Sequence, residues 1–248
     1  MAKRGELKVG TSGYQYDHWK GVFYPDGVKK KEWFTFYAKQ FDTVEINNSF
    51  YSLPRKETVD DWYEKAPEGF CFVMKFSRYG THMKKLKEPQ GSIDAFMERA
   101  ERLKEKLGPI LVQLPPKWGV DVKRLENFLR AAPKEQRWAL EFRDESWLCD
   151  DVFEVLEKYE AALCIHDLID NHPQVITTDW SYLRFHGAED GGNYPYQALS
   201  ASAQRAADML DKGLDLYIYF NNDAHGHAVK NAERIRCYIN HAKDKKRK

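Results

Sequence analysis

Arg137-Trp138-Ala139-Leu140-Glu141-Phe142-Arg143-Asp144-Glu145-Ser146-Trp147 is the stretch on which the reading of this chain turns. Pro133 stops whatever precedes it, and Trp138, Ala139, Leu140 and Phe142 supply the apolar and aromatic residues of a short strand. Glu141 and Arg143 are two apart, so their side chains leave the strand on one face. In an antiparallel sheet that face would be the wet one and the pair would mean little. In a closed parallel barrel it would be the interior, where polar residues at strand ends do the chemistry.

Working outward, seven more strands can be read. They are Leu7 to Ser12, Thr43 to Asn47, Phe70 to Phe76, Ile110 to Leu114, Ala162 to Asp167, Ser181 to His186 and Leu216 to Asn221. Phe70 to Phe76 is apolar on both faces, as a strand buried in a parallel sheet must be. Helical patterns follow seven of the eight, at about Lys29 to Gln40, Thr58 to Lys65, Ser92 to Leu107, Asp121 to Leu129, Asp151 to Tyr159, Leu199 to Lys212 and Asp223 to Asn240. Ser92 is expected to cap the third helix and Gly108-Pro109 to stop it, and the fourth helix is expected to start at Asp121. The segment 169–179 is too short for a good helix, and 48–54 reads as loop. Alternation of this kind implies parallel pairing with right-handed crossovers, and a 248-residue chain matches the usual size of one α/β barrel. The expected fold is a single α/β domain over residues 1–248, a TIM-like (β/α)8 barrel with a parallel eight-stranded core.

Composition narrows the function classes. Apolar residues make up 42% and aromatics 14%, enough for a large core. Cys71, Cys149, Cys164 and Cys237 show no metal-ligand spacing, which reads as reduced thiols in a cytoplasmic protein. No apolar run is long enough to span a membrane, and Met1-Ala2-Lys3-Arg4-Gly5 lacks the apolar stretch of a signal peptide. Net charge is +1, and the basic end from Lys243 to Lys248 leaves the rest slightly acidic, which argues against broad nucleic-acid binding. Residues 241–248 are expected as a mobile tail. Oligomeric state is not legible.

If the barrel closes, the C-terminal strand ends deliver Ser12, Glu45, Asn47, Lys75, Gln113, Glu141, Arg143, Asp167, Arg184, His186 and Asn221 to one mouth. Lys75, Arg143 and Arg184 suit a phosphate or carboxylate. Glu45 and Glu141 are candidates to move protons, with His186 assisting. Ser12, Asn47, Gln113 and Asn221 are candidate substrate contacts, and Tyr14 and Trp19 in the aromatic loop after the first strand are candidates to cover the site. The structural alternative is a buried network in which the cations neutralise Glu45 and Glu141. Asp223 can simply cap the last helix, and Gly187, Gly191 and Gly192 match no phosphate-loop fingerprint.

The chain also resembles the DUF72 (YecE-like) family. The resemblance is carried by Gly10-Thr11-Ser12-Gly13-Tyr14 with Trp19 and Phe23-Tyr24-Pro25, Val44-Glu45-Ile46-Asn47 with Phe50-Tyr51, and Gly108-Pro109 with Gln113-Leu114-Pro115-Pro116. It continues through Glu141-Phe142-Arg143 with Ser146-Trp147, Tyr182-Leu183-Arg184-Phe185-His186-Gly187, and Tyr219-Phe220-Asn221-Asn222-Asp223 with Asn231-Ala232. It implies a TIM-like barrel and assigns no role to any residue. Ile165-His166-Asp167 departs from the family pattern, which has a small residue before the aspartate, so His166 is left outside the expected site.

Three functions remain open from sequence. The first is an enzyme acting on a small phosphorylated or carboxylated molecule. The second is a metal-dependent hydrolase or nuclease drawing on Glu45, Glu141, Asp167 and His186. The third is a noncatalytic protein that binds an anionic metabolite. No cofactor is named by any motif, and a divalent metal belongs only to the second reading.

Overall fold

A computed structural model describes residues 3–187 and 192–246, with side chains described as far as residue 242 in the last helix. Gly191 and the basic side chains from 243 onward, both weighed above, lie outside the described residues. Strands and helices alternate as expected. The order is β1 (Leu7–Thr11), α1 (Trp33–Gln40), β2 (Thr43–Ile46), α2 (Asn48–Tyr51), α3 (Lys56–Lys65), β3 (Cys71–Lys75), α4 (Pro89–Ala100) and β4 (Leu107–Gln113). The second half runs α5 (Val122–Ala131), β5 (Trp138–Glu141), α6 (Asp150–Lys158), β6 (Ala162–His166), β7 (Trp180–Phe185), α7 (Tyr196–Asp211), β8 (Asp215–Phe220) and α8 (His227–Lys246).

The strands form one sheet in the order β1-β8-β7-β6-β5-β4-β3-β2. Pairing is parallel, with Val9 opposite Ile218, Leu183 opposite Ile218, Ile110 opposite Trp138 and Ala139 opposite Ala162. This is the TIM-like (β/α)8 barrel that the alternation implies. Helices bury the faces their periodicity dictates: α5 turns Leu125, Phe128 and Leu129 inward, and Asp121 caps it by accepting from the Arg124 amide at 3.1 Å. No helix among the described residues is long and apolar enough to cross a membrane.

Contacts gather into two compact units, Met1–Val44 with Asp179–Lys248, and Glu45–Thr178. In the first, the loop after β1 is packed with aromatic rings: Tyr24 stacks on Trp33 at 4.6 Å, and Trp19 meets Tyr16 at 4.8 Å. In the second, Phe76 is held edge-on by Phe96, Phe128 and Trp138.

The structure corrects several local expectations. The third major helix begins at Pro89, three residues before Ser92, because proline at a first helical position forfeits no intrahelical bond. That helix ends at Ala100, and Gly108-Pro109 lies inside β4. Gly108 is required there by packing: a Cβ at 108 would come within 2.3 Å of Cys71 Sγ. Asp223 does not cap α8. It precedes a 3-10 turn, its carbonyl accepts from Trp19 Nε1 at 2.9 Å, and its carboxylate lies 3.2 Å from His18 Nε2. The backbone of α8 continues past the expected end at Asn240 to Lys246. Residues 48–51, read as loop, form the helical turn α2, and Tyr79–Met83 form one π-helical turn.

Candidate functional site

The end of β5 carries its carboxylate and guanidinium on one face, as the period of two requires. Phe142 between them points the other way and stacks on Trp147 at 5.1 Å and 8°. Trp147 Nε1 in turn donates to the Trp118 carbonyl at 2.6 Å, so the segment after β5 is pinned from both sides. Glu141 is fully buried, and Arg143 keeps about a fifth of its side chain exposed, 22%. Arg143 Nε donates to Glu141 Oε1, and its Nη2 reaches Gln113 Oε1 at 3.4 Å. Gln113 stands opposite Glu141 in the β4–β5 register, which puts all three groups on one face. On the other carboxylate oxygen, Cys164 Sγ lies 3.8 Å from Oε2.

Two histidines that the sequence reading did not select belong to this group. His166, at the end of β6, has Nε2 2.7 Å from the Phe142 carbonyl oxygen, and its Nδ1 accepts from the Leu168 amide at 3.2 Å. That pattern fixes a neutral imidazole with the proton on Nε2. Burial pushes its pKa down to about 4, with His172 and Arg143 pushing the same way against Glu141 and the Phe142 bond. His172 packs edge-on against it at 4.6 Å and is also lowered by burial.

His82, on the π-helical turn after β3, is the second. Its Nδ1 is 3.0 Å from Thr81 Oγ1, whose own proton goes to the Ser77 carbonyl at 3.0 Å. His82 therefore donates through Nδ1 and keeps its Nε2 lone pair. Burial first, then the positive charges of Lys75, Arg78 and Arg143, hold its pKa at about 4. Lys75, the last residue of β3, is 8% exposed, and its Nζ sits 4.4 Å above the Phe50 ring. Phe50 meets His82 edge-on at 5.0 Å. Glu45 in β2 is fully buried, and Asn47 just beyond it has a buried Oδ1 with no hydrogen-bond partner among the described residues. Asp167, next to His166, is exposed.

The 45–178 unit thus contains Glu45, Asn47, Lys75, Gln113, Glu141 and Arg143, and the structure brings Gln113, Glu141 and Arg143 into direct contact. The other unit contains Ser12, Tyr14, Trp19, Arg184, His186 and Asn221. Arg184 is 2% exposed; its Nη1 donates to His186 Nε2 at 3.1 Å and its Nη2 to Ser12 Oγ at 3.4 Å. Tyr14 and Trp19, expected to cover a ligand, are 4% and 0% exposed. Tyr14 packs on Phe34 and Tyr37, and Trp19 on Tyr16, Phe23 and Tyr24, so their faces are taken by neighbouring rings. Asn221 is half-buried, and its backbone N–H donates to the Phe185 carbonyl at 2.7 Å. Its neighbour Asn222 joins Gly192 O at 2.9 Å to Asn231 Oδ1 at 3.0 Å, a structural clamp on the segment after Gly191.

Among the described residues no group of three or more His, Cys, Asp or Glu side chains is placed to hold a metal ion. The donor set instead pairs a carboxylate with a guanidinium, and the charges of Lys75, Arg78 and Arg143 bear on the His82 imidazole.

Comparison with known proteins agrees with the fold. UPF0759 protein YunF of Bacillus subtilis (strain 168) is 25% identical over 267 residues, covering 92% of this chain and 93% of that one. UPF0759 protein YecE of Escherichia coli (strain K12) is 32% identical over 108 residues, 43% of this chain and 40% of that one. The crystal structure of a DUF72 family protein from Thermotoga maritima MSB8 superposes with a TM-score of 0.85 at 26% identity, covering 95% of this chain and 99% of that one. A DUF72 family protein from Enterococcus faecalis V583 shares the fold, with a TM-score of 0.78 at 24% identity over 94% of this chain and 95% of that one. The family model described as a protein of unknown function, DUF72, matches residues 8–248, and the chain belongs to that family.

Proposed function

We propose that the ends of β3, β4 and β5 form the active site of an enzyme acting on a small phosphorylated or carboxylated substrate. Arg143 and Lys75 hold the anion, Gln113 and Asn47 fix its orientation, and Glu141 and Glu45 move protons. His82 offers its Nε2 lone pair beside the bound charge. The observation that carries this reading is geometric: Lys75, 8% exposed, ends β3 with its Nζ over the Phe50 ring, and Arg143, 22% exposed, follows β5 in contact with Glu141 and Gln113. Lysine and arginine side chains at the ends of β3 and β5, with a carboxylate and an amide beside them, suit a substrate that carries an anionic group.

The test is thermal stabilisation by inorganic phosphate, phosphosugars, nucleotides and small carboxylates, run on the natural protein and on Arg143→Gln and Lys75→Gln. A ligand at about 100 times its Kd stabilises by about 2.7 kcal/mol. For a chain of this size that raises Tm by about 5–10 °C. The expected result is a shift with at least one anion class that both variants lose. Absence of any shift across the panel, or a shift that both variants keep, overturns the proposal. With a substrate found, Glu141→Gln should bind it and fail to turn it over.

A further inference from the structure

Next to the Lys75–His82 group, within the same unit, lies a cavity of about 590 Å³. That is within the range of small-molecule sites. Its walls come from α2 and the residues after it, from the π-helical turn and from the first turns of α4. We propose that this cavity is a binding cleft for a neutral sugar, and that the substrate is a sugar bearing the anionic group held by Lys75 and Arg143. The inference rests on the proposed anion reading for the charged end of the substrate.

The walls specify the ligand chemistry. Tyr51 and Tyr79 line the cavity and are 78% and 52% exposed, unusual for rings in a protein that buries most of its aromatic residues. Tyr51 packs edge-on against Phe50 at 5.0 Å, and Lys84 Nζ lies 5.9 Å from the centre of the Tyr79 ring. An exposed, positioned aromatic face accepts the C–H face of a pyranose and leaves the phenol free to hydrogen-bond. Ser52, Ser77 and Ser92 also line the cavity, and a serine hydroxyl can both donate and accept. The charged residues of the lining, Lys84 and Glu88, pair with each other at 3.4 Å, so the cavity offers paired donors and acceptors without net charge. Hydroxyl-rich, charge-balanced walls flanked by aromatic faces match a polyhydroxylated ring better than an anion.

Phe50 connects cleft and anion group. Its ring lines the cavity, and Lys75 Nζ sits over the same ring at 4.4 Å. The wall formed by 79–88 is also held in costly backbone geometry. A π-helical turn is followed by left-handed φ at Lys85 (48°), Leu86 (59°) and Glu88 (44°), with Leu86 buried as an anchor. Strain of this kind persists where the surrounding structure enforces it, and it concentrates at ligand clamps.

The experiment is saturation-transfer NMR of the full chain with glucose, galactose, maltose and cellobiose, and with adenosine and thymidine as planar neutral controls. It is repeated on Tyr51→Ala and Tyr79→Ala, whose exposed side chains make misfolding easy to separate by melting temperature. The expected result is saturable binding of a neutral sugar that each variant weakens about tenfold, while stabilisation by inorganic phosphate is unchanged. Absence of sugar binding, or sugar binding indifferent to both substitutions, overturns the cleft assignment. Binding of the nucleosides in place of sugars overturns it in favour of a base. If the sugar binds and phosphate does not, the cleft stands and the anion reading falls.

Discussion

Thr11 and Thr43 are joined through one hydroxyl: Tyr37 Oη accepts from the Thr11 amide at 3.0 Å and donates to the Thr43 carbonyl at 3.0 Å. The strand order begins at β1 and ends at β2, and these two residues belong to those strands. A side chain from α1 therefore bridges the two ends of the ladder. Gly10 makes the approach feasible, since a Cβ there would come within 2.4 Å of the Thr43 carbonyl oxygen. Burial of Tyr37 raises its pKa, so the phenol stays protonated and able to donate.

Tyr37→Phe is expected to destabilise the protein by about 1–3 kcal/mol, because it strands a buried donor and a buried acceptor at once. Gly10→Ala should cost more, because the atom it meets is backbone and cannot swing aside. Urea denaturation with an unchanged m-value checks both; a Tyr37→Phe midpoint equal to that of the natural protein would show that the bridge adds nothing.

His166 should make the protein acid-sensitive. Its folded pKa of about 4 lies below the ordinary value of 6.5, so the unfolded chain takes up the proton first. Stability is therefore full above pH 6.5 and falls as pH drops from 6.5 toward 4, by about 3 kcal/mol for a shift of this size. His166→Gln retains a donor for the Phe142 carbonyl and removes the titration. Its stability should depend less steeply on pH over that window, and an equally steep profile would assign the effect to another group.

Removing either member of the Glu141–Arg143 pair should cost about 3–5 kcal/mol, while replacing both with apolar residues should cost much less. A double-mutant cycle with Glu141→Leu and Arg143→Met reads the coupling directly. Additive losses would mean that the two groups act independently.

Anion binding should load a proton onto His82. A bound anion offsets the positive charges of Lys75 and Arg143, which raises the imidazole pKa from about 4. Affinity for sulfate, which does not titrate near neutrality, should therefore increase as pH falls from 7 toward 5. Calorimetry in buffers of different ionisation enthalpy should register proton uptake, and His82→Asn should abolish it. Uptake that persists in that variant would assign the proton to another group.

The barrel was legible because its signals are local. Apolar runs such as Phe70 to Phe76, helix-period residues such as Leu125, Phe128 and Leu129, and punctuating prolines need no knowledge of distant chain. The spacing of Glu141 and Arg143 likewise placed both on one face. Local signals failed where distant groups decided the backbone. Residues 48–51 turn helically where Ser49 Oγ lies 2.7 Å from the Lys75 carbonyl, and Gly108 serves contact with Cys71 in place of a helix end.

The sequence by itself determined the eight strands, their parallel alternation with helices, and which polar residues stand at strand ends, because a residue's face follows from its period. Only the tertiary structure decided which of those groups pair, that Tyr14 and Trp19 pack among neighbouring rings, and that His82 meets Phe50 while His166 meets the Phe142 carbonyl. Those outcomes depend on side-chain directions and on loops such as 77–88, whose path is fixed by long-range packing and left-handed turns that no local pattern encodes.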